Sequence, residues 1–129
     1  MDPVAEKGIG KALTDTLRDF QASAPGVMGS AVVSVDGFII ASELPSSVEE
    51  RRVSAMVAAM LAIGEQTASE FEHGGLDRVF VEGKGGYTII TSAGEEAVLA
   101  AIASRDAKLG LIFLQIARTA EAVRQAMES

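Results

Sequence analysis

The sequence predicts an α+β fold, an antiparallel sheet of five strands with helices over its faces, and three observations lead there. A helical period runs through 46–71, in the middle of the chain. Before it, the dipeptide Asp36-Gly37 separates two apolar stretches, a strong short-range hairpin signal. After it, three strand-like stretches at 76–82, 87–92 and 97–104 are parted by glycine-containing turns. The 129 residues suit a single domain over 1–129, large enough to bury about two thirds of the surface its unfolded chain exposes.

In chain order, 4–22 reads as a surface helix, with Ile9, Leu13, Thr16, Leu17 and Phe20 on one face and Lys7, Lys11, Asp15 and Arg18 turned away. Ala24-Pro25-Gly26 ends it. Strand 27–35 carries Ala31, Val33 and Val35 on one face and Met28 and Val32 on the other. A type I′ turn at Asp36-Gly37 then leads into a return strand at 38–42. Ser46 with Glu49, or Ser47 with Glu50, has the spacing of a capping box at the start of the central helix.

On that helix Val53, Val57, Met60, Gly64, Thr67 and Phe71 form the expected core stripe, with Met56, Leu61 and Ile63 at its shoulders. The opposite side holds Ala55, Ala58, Ala59 and Ala62, which suits either helix propensity or the close approach of a second helix. Gly74-Gly75 is the expected helix stop. His73, the single histidine, reads as a partner of the helix C-terminal dipole.

In 76–82, Leu76, Arg78, Phe80 and Glu82 alternate with Asp77, Val79 and Val81, and the charges suggest an edge strand. The apolar stretch 97–104 reads as a central strand. Beyond it Leu109, Phe113, Ile116, Ala120, Val123 and Met127 line one helical face, although 109–116 taken alone is apolar enough to be a strand.

Composition narrows the function. The absence of cysteine excludes disulfides and thiolate metal sites and fits a reducing, cytoplasmic setting. Met1-Asp2-Pro3 does not open like a signal peptide, and no apolar run approaches the ~20 residues that span a bilayer. A net charge of −7 argues against nucleic acid and anionic membranes as partners. A protein partner is expected.

Chemistry-bearing motifs are missing. Gly83-Lys84 is followed by Gly85, and Gly10-Lys11 by Ala12, so neither forms a phosphate-binding loop. A lone histidine leaves no nucleophile-and-base pair, and no nucleophile elbow or metal-ligand spacing occurs. Glu49-Glu50 and Glu95-Glu96 fall at a helix start and a turn, where capping or solvation accounts for them. No enzyme, cofactor or metal is expected.

The segments GSAVVSVDGFIIAS (29–42), GYTII (86–90) and DAKLGL (106–111), in this order and spacing, resemble the Roadblock/dynein light chain family, particularly its bacterial and archaeal single-domain members. The likeness spans 13–123. It implies strand order 2-1-5-4-3, the central helix on one face, the terminal helices on the other, and a helix over 109–116. It also implies a homodimer that serves as a scaffold or regulator for a small Ras-like GTPase and has no active site.

Carried over by position, the dimer pairs Leu76, Asp77, Arg78, Val79, Phe80, Val81 and Glu82 with their copies and sets Ala55, Ala58, Ala59 and Ala62 of two central helices side by side. The partner site is expected on the exposed part of that helix, at Arg51, Arg52, Ser54, Ala55, Ala58, Ala62 and Glu65, because an alanine stripe lies there between charged ends. A light-chain-type adaptor for a non-GTPase partner and a small-molecule sensor are the alternatives.

Overall fold

The computed structural model describes residues 3–128, with side chains over 8–128, so the side chain of Lys7 lies outside the described part. The elements are α1 (Pro3–Ser23), β1 (Val27–Ser34), β2 (Ile39–Glu43), α2 (Glu50–Glu70), β3 (Arg78–Gly83), β4 (Gly86–Ser92), β5 (Ala97–Ser104) and α3 (Leu109–Glu128). The strands form one antiparallel sheet in the order β2-β1-β5-β4-β3.

Side chains alternate across the sheet, which sorts them into two cores. Val32, Ile89, Leu99 and Ala101 point to the layer built by Leu13, Leu17 and Phe20 of α1 and Ile112, Ile116 and Val123 of α3. Val33, Ile90, Val98 and Ala100 point the other way, onto Val53, Val57 and Leu61 of α2. β5 is central and buried along nearly its whole length, as its unbroken apolar run predicts. The ambiguous 109–116 is helical because its apolar residues join a longer helical stripe over α1.

Several local expectations are corrected. The β1–β2 turn is not type I′, which needs positive φ at both central residues: Gly37 has φ +90°, but Asp36 is not in that region. The Gly37 N–H donates to the Ser34 carbonyl at 3.0 Å, and the Ser34 N–H to the Phe38 carbonyl at 2.8 Å. This is a three-residue loop, a type I turn followed by a glycine that only a missing Cβ lets turn this far.

Neither capping box forms. Ser46 and Ser47 are the centre of a turn closed by the Val48 N–H on the Pro45 carbonyl, and Glu49, the cap residue, makes no side-chain cap hydrogen bond. Glu50 instead accepts a hydrogen bond from Ser42 of β2.

The core stripe of α2 is rotated from the expected one. Val53, Ser54, Val57, Leu61 and Ala68 are buried, Met60 and Gly64 are half-buried, and Thr67 joins Met56, Ile63 and Phe71 among the exposed residues. The physical reason is that α2 has more apolar residues than one sheet face can cover, so periodicity alone offered two stripes and the sheet took one. Leu76 precedes β3 and packs with Val79 in the α2 layer, rather than alternating away from it.

The helix does not stop at Gly74-Gly75. The Glu72 N–H donates to the Ser69 carbonyl and the His73 N–H to the Ala68 carbonyl, a Schellman motif whose left-handed residue is Glu72, with φ +56°. A side chain there costs about 1–2 kcal/mol, and glycine returns part of that gain as unfolded-state entropy. Glu72→Gly is therefore expected to stabilise the fold by about 0.5–1 kcal/mol. Urea unfolding at fixed protein concentration checks it, and a lowered midpoint would contradict the cap.

Candidate functional site

β3 ends the sheet, so one of its sides has no neighbouring strand. Its alternation sends Arg78, Phe80 and Glu82 toward α3 and Val79 and Val81 toward α2. The first set is braced. The Phe80 ring stacks on Tyr87 at 5.5 Å between centroids and meets Phe113 of α3 at 5.8 Å, while the Arg78 guanidinium lies 4.9 Å over Phe113. Arg105, just beyond the end of β5, is ion-paired with Glu82 and sits over Tyr87. The Glu82 carboxylate raises the pKa of that guanidinium further. These contacts hold an open strand in place from behind.

The face toward α2 is apolar and open. Met56 is 50% exposed, Ile63 63% and Val81 44%, large fractions for side chains of this size. Met60, Ile63, Gly64, Thr67, Leu76, Val79 and Val81 border a shallow groove of about 370 Å³. Met60 and Val81 also border a second groove of about 240 Å³ that continues to Leu44, Met56 and Ile102. Helix side, grooves and unpaired strand make one continuous apolar surface.

Gly64 sets its depth. A Cβ there would lie 2.8 Å from Val79 Cγ2 and 3.0 Å from Leu76 Cδ2, so a larger residue would have to push these side chains aside where α2 passes β3.

The residues expected from the sequence divide. Arg51, Arg52, Ala55, Ala59, Ala62 and Glu65 are exposed along α2. Ser54 is not: it is buried, and its Oγ donates to the Arg51 carbonyl at 3.0 Å. Ala58 is half-buried, facing the β1–β2 turn where a Cβ on Gly37 would come within 3.3 Å of it. In β3, Arg78, Phe80, Val81 and Glu82 are exposed and Val79 half-buried, while Leu76 and Asp77 precede the strand.

Met56, Met60, Ile63 and Thr67 are the additions, since the sequence reading gave all four to the core. The available signal was the surplus of apolar residues around the whole helix. His73 is exposed beyond the helix end, its ring 6.0 Å from that of Phe71. Among the described residues no group of acids and histidine is arranged to hold a metal, and no helix is long and apolar enough to cross a membrane.

Residues 13–103 match the Roadblock/LC7 domain family. The chain belongs to that family, whose members are generally non-catalytic adaptors or regulators. It is similar to protein MJ1340 of Methanocaldococcus jannaschii, with 39% identity over 99 residues, covering 77% of this chain and 86% of that protein.

Among solved structures, the Roadblock/LC7 domain from Streptomyces avermitilis superposes with a TM-score of 0.84 at 18% identity, over 90% of this chain and 98% of that one. The gliding protein MglB from Thermus thermophilus gives 0.83 at 18% identity, over 93% and 91%. The strand order and helix placement implied by the family resemblance are those observed.

Replacing Gly64 by valine forces α2 and β3 apart, and a loss of about 1–3 kcal/mol of stability is expected, as for an overpacked site. Urea unfolding measures it. An unchanged midpoint would show that the close approach is not needed.

Proposed function

We propose that this chain is a non-enzymatic homodimeric scaffold that binds a small Ras-like GTPase in the cytoplasm and modulates its nucleotide cycle. The observation that carries the reading is the joined surface of open strand and exposed apolar helix side. Val79 and Val81 lie beside unpaired backbone groups, and Met56, Met60 and Ile63 flank them.

Each half of that surface needs a cover, and a second copy supplies both. β3 continues into the β3 of its partner, giving one sheet through the dimer, and the two α2 helices lie over it side by side. The charged residues around β3 discourage indiscriminate edge pairing. The side chains of Met56, Met60 and Ile63, more than the alanines, then form the helix seam, with Ala58 held against its own hairpin.

The GTPase comes from the family likeness. Its docking surface is the outer side of the α2 pair, with Arg51, Ala55, Ala62 and Glu65 from each copy around the twofold axis. A centre of alanines lets a partner approach closely, and the charges at the rim orient it. Regulation works by holding the GTPase's own switch segments, so Arg51 is a docking contact, and neither it nor Arg52 is a group that enters the reaction.

The expected dimer buries more than ~1,000 Å² and is seen by light scattering at micromolar concentration. The register of β3 on β4 sends the N–H of Arg78, Phe80 and Glu82 outward, so Arg78→Pro removes a backbone donor at the seam without breaking the β3–β4 ladder and should give a folded monomer by circular dichroism. In titration calorimetry the parent should bind a Ras-like GTPase encoded beside it, loaded with a GTP analogue or with GDP. Ala62→Arg should weaken that binding at least about ten-fold, as for a bulky charge placed in a close-packed centre. A monomeric parent would overturn the dimer, and absence of binding in both nucleotide states would overturn the GTPase reading.

A further inference from the structure

The start of α2 carries mixed charge: Glu49 and Glu50 suit the positive end of the helix dipole, whereas Arg51 and Arg52 beside them do not. At the negative end Glu70 opposes the dipole and basic residues are absent from the last turn. Arg52 and Glu70 are thus each placed where a partner of opposite charge outside the helix would offset the cost.

Arg52, Met56, Ala59, Ile63, Gln66 and Glu70 supply its geometry. They follow one another at spacings of four, three, four, three and four residues, the spacing of a helix–helix seam, and all six are exposed. Arg52 and Glu70 are 18 residues apart, which is five full turns and about 27 Å, so they stand on one line at opposite ends of it. Arg52 is barely engaged within its own chain: its side chain is 77% exposed, and its guanidinium lies 3.9 Å from a carboxylate oxygen of Glu49.

Resting on the dimer reading above, we infer that this line is an antiparallel α2–α2 seam whose register is set by two ion pairs between Arg52 of one copy and Glu70 of the other. Reversing the line upon itself brings Arg52 opposite Glu70 at both ends. Ala59 then meets Ile63, a small residue against a large one, and Met56 lies along the aliphatic part of Gln66. A parallel pairing would instead set Arg52 against Arg52 and Glu70 against Glu70. The same charges that disfavour the lone helix therefore select one orientation of the pair.

A charge exchange tests it by sedimentation at low salt. Arg52→Glu and Glu70→Arg, each alone, should weaken self-association about ten-fold or more, because each sets like charges together twice. The double variant should return to within about three-fold of the parent, as expected for directly coupled residues. Mixing the two single variants should give a heterodimer of parent-like affinity, visible by native mass spectrometry.

Both single changes suit the helix dipole, so folded helix content by circular dichroism should be kept or increased while association falls. That opposite movement distinguishes a lost seam from a lost fold. Single variants that associate like the parent, or a double variant that is not rescued, would overturn the register. If Arg78→Pro still abolishes the dimer in that case, the strand-paired dimer stands without it. A monomeric parent would overturn both.

Discussion

Strand β5 must be buried on both faces, and the rest of the molecule follows from that constraint. Its side chains Leu99, Ala101 and Ala103 lie in the layer of α1 and α3, and Val98 and Ala100 lie under α2. Such a strand is stable only with a neighbour on each side and a helical layer on each face. β1 and β4 supply the neighbours. The many alanines of β5 keep the layers close, and the large side chains come from the helices and the flanking strands. Once β5 is central, β2 and β3 are left as edges.

The two edges differ in what stands beside them. β2 is tied to both helical layers, through Arg18 of α1 on Glu43 at 3.0 Å and through Ser42 on Glu50 of α2. β3 is braced from the α3 side by Phe80, Arg78 and the Glu82–Arg105 pair, while on the α2 side Val79 packs near Gly64 and Val81 looks into an open apolar groove. A strand held in shape yet unpaired can add a further strand without first losing much conformational freedom. Preorganisation of this kind, more than any single contact, makes β3 the docking edge in the proposed dimer.

α2 shows how one helix serves two surfaces. Its buried line through Val53, Val57, Leu61 and Ala68 fastens it to the sheet. Gly64 lets its second half sink toward Val79 and Leu76. The methionines and Ile63 left outside are flexible or large apolar groups that an isolated domain would gain by exchanging for polar ones. Their presence, with Arg52 and Glu70 each opposed to the helix dipole, is what the proposed dimer accounts for.

By itself the sequence determined the elements as far as 104, the central place of 97–104, the edge character of 76–82 and the lack of catalytic motifs, because these depend on local periodicity and composition. Chain order along the sheet, and the helical state of 109–116, were legible only through the family resemblance, since strand adjacency is a long-range property.

Tertiary structure alone decided which of two apolar stripes on α2 faces the sheet. It moved Met56, Met60 and Ile63 from the expected core to an open groove, buried Ser54 and turned Ala58 onto the β1–β2 hairpin. It also decided the helix ends, passing over two good serine caps and a glycine pair in favour of a turn at Ser46-Ser47 and a left-handed Glu72. In each case the local signal admitted more than one answer of similar energy. Packing against β1, β2 and β3 chose among them, because a misplaced helix would leave the sheet's apolar face in water.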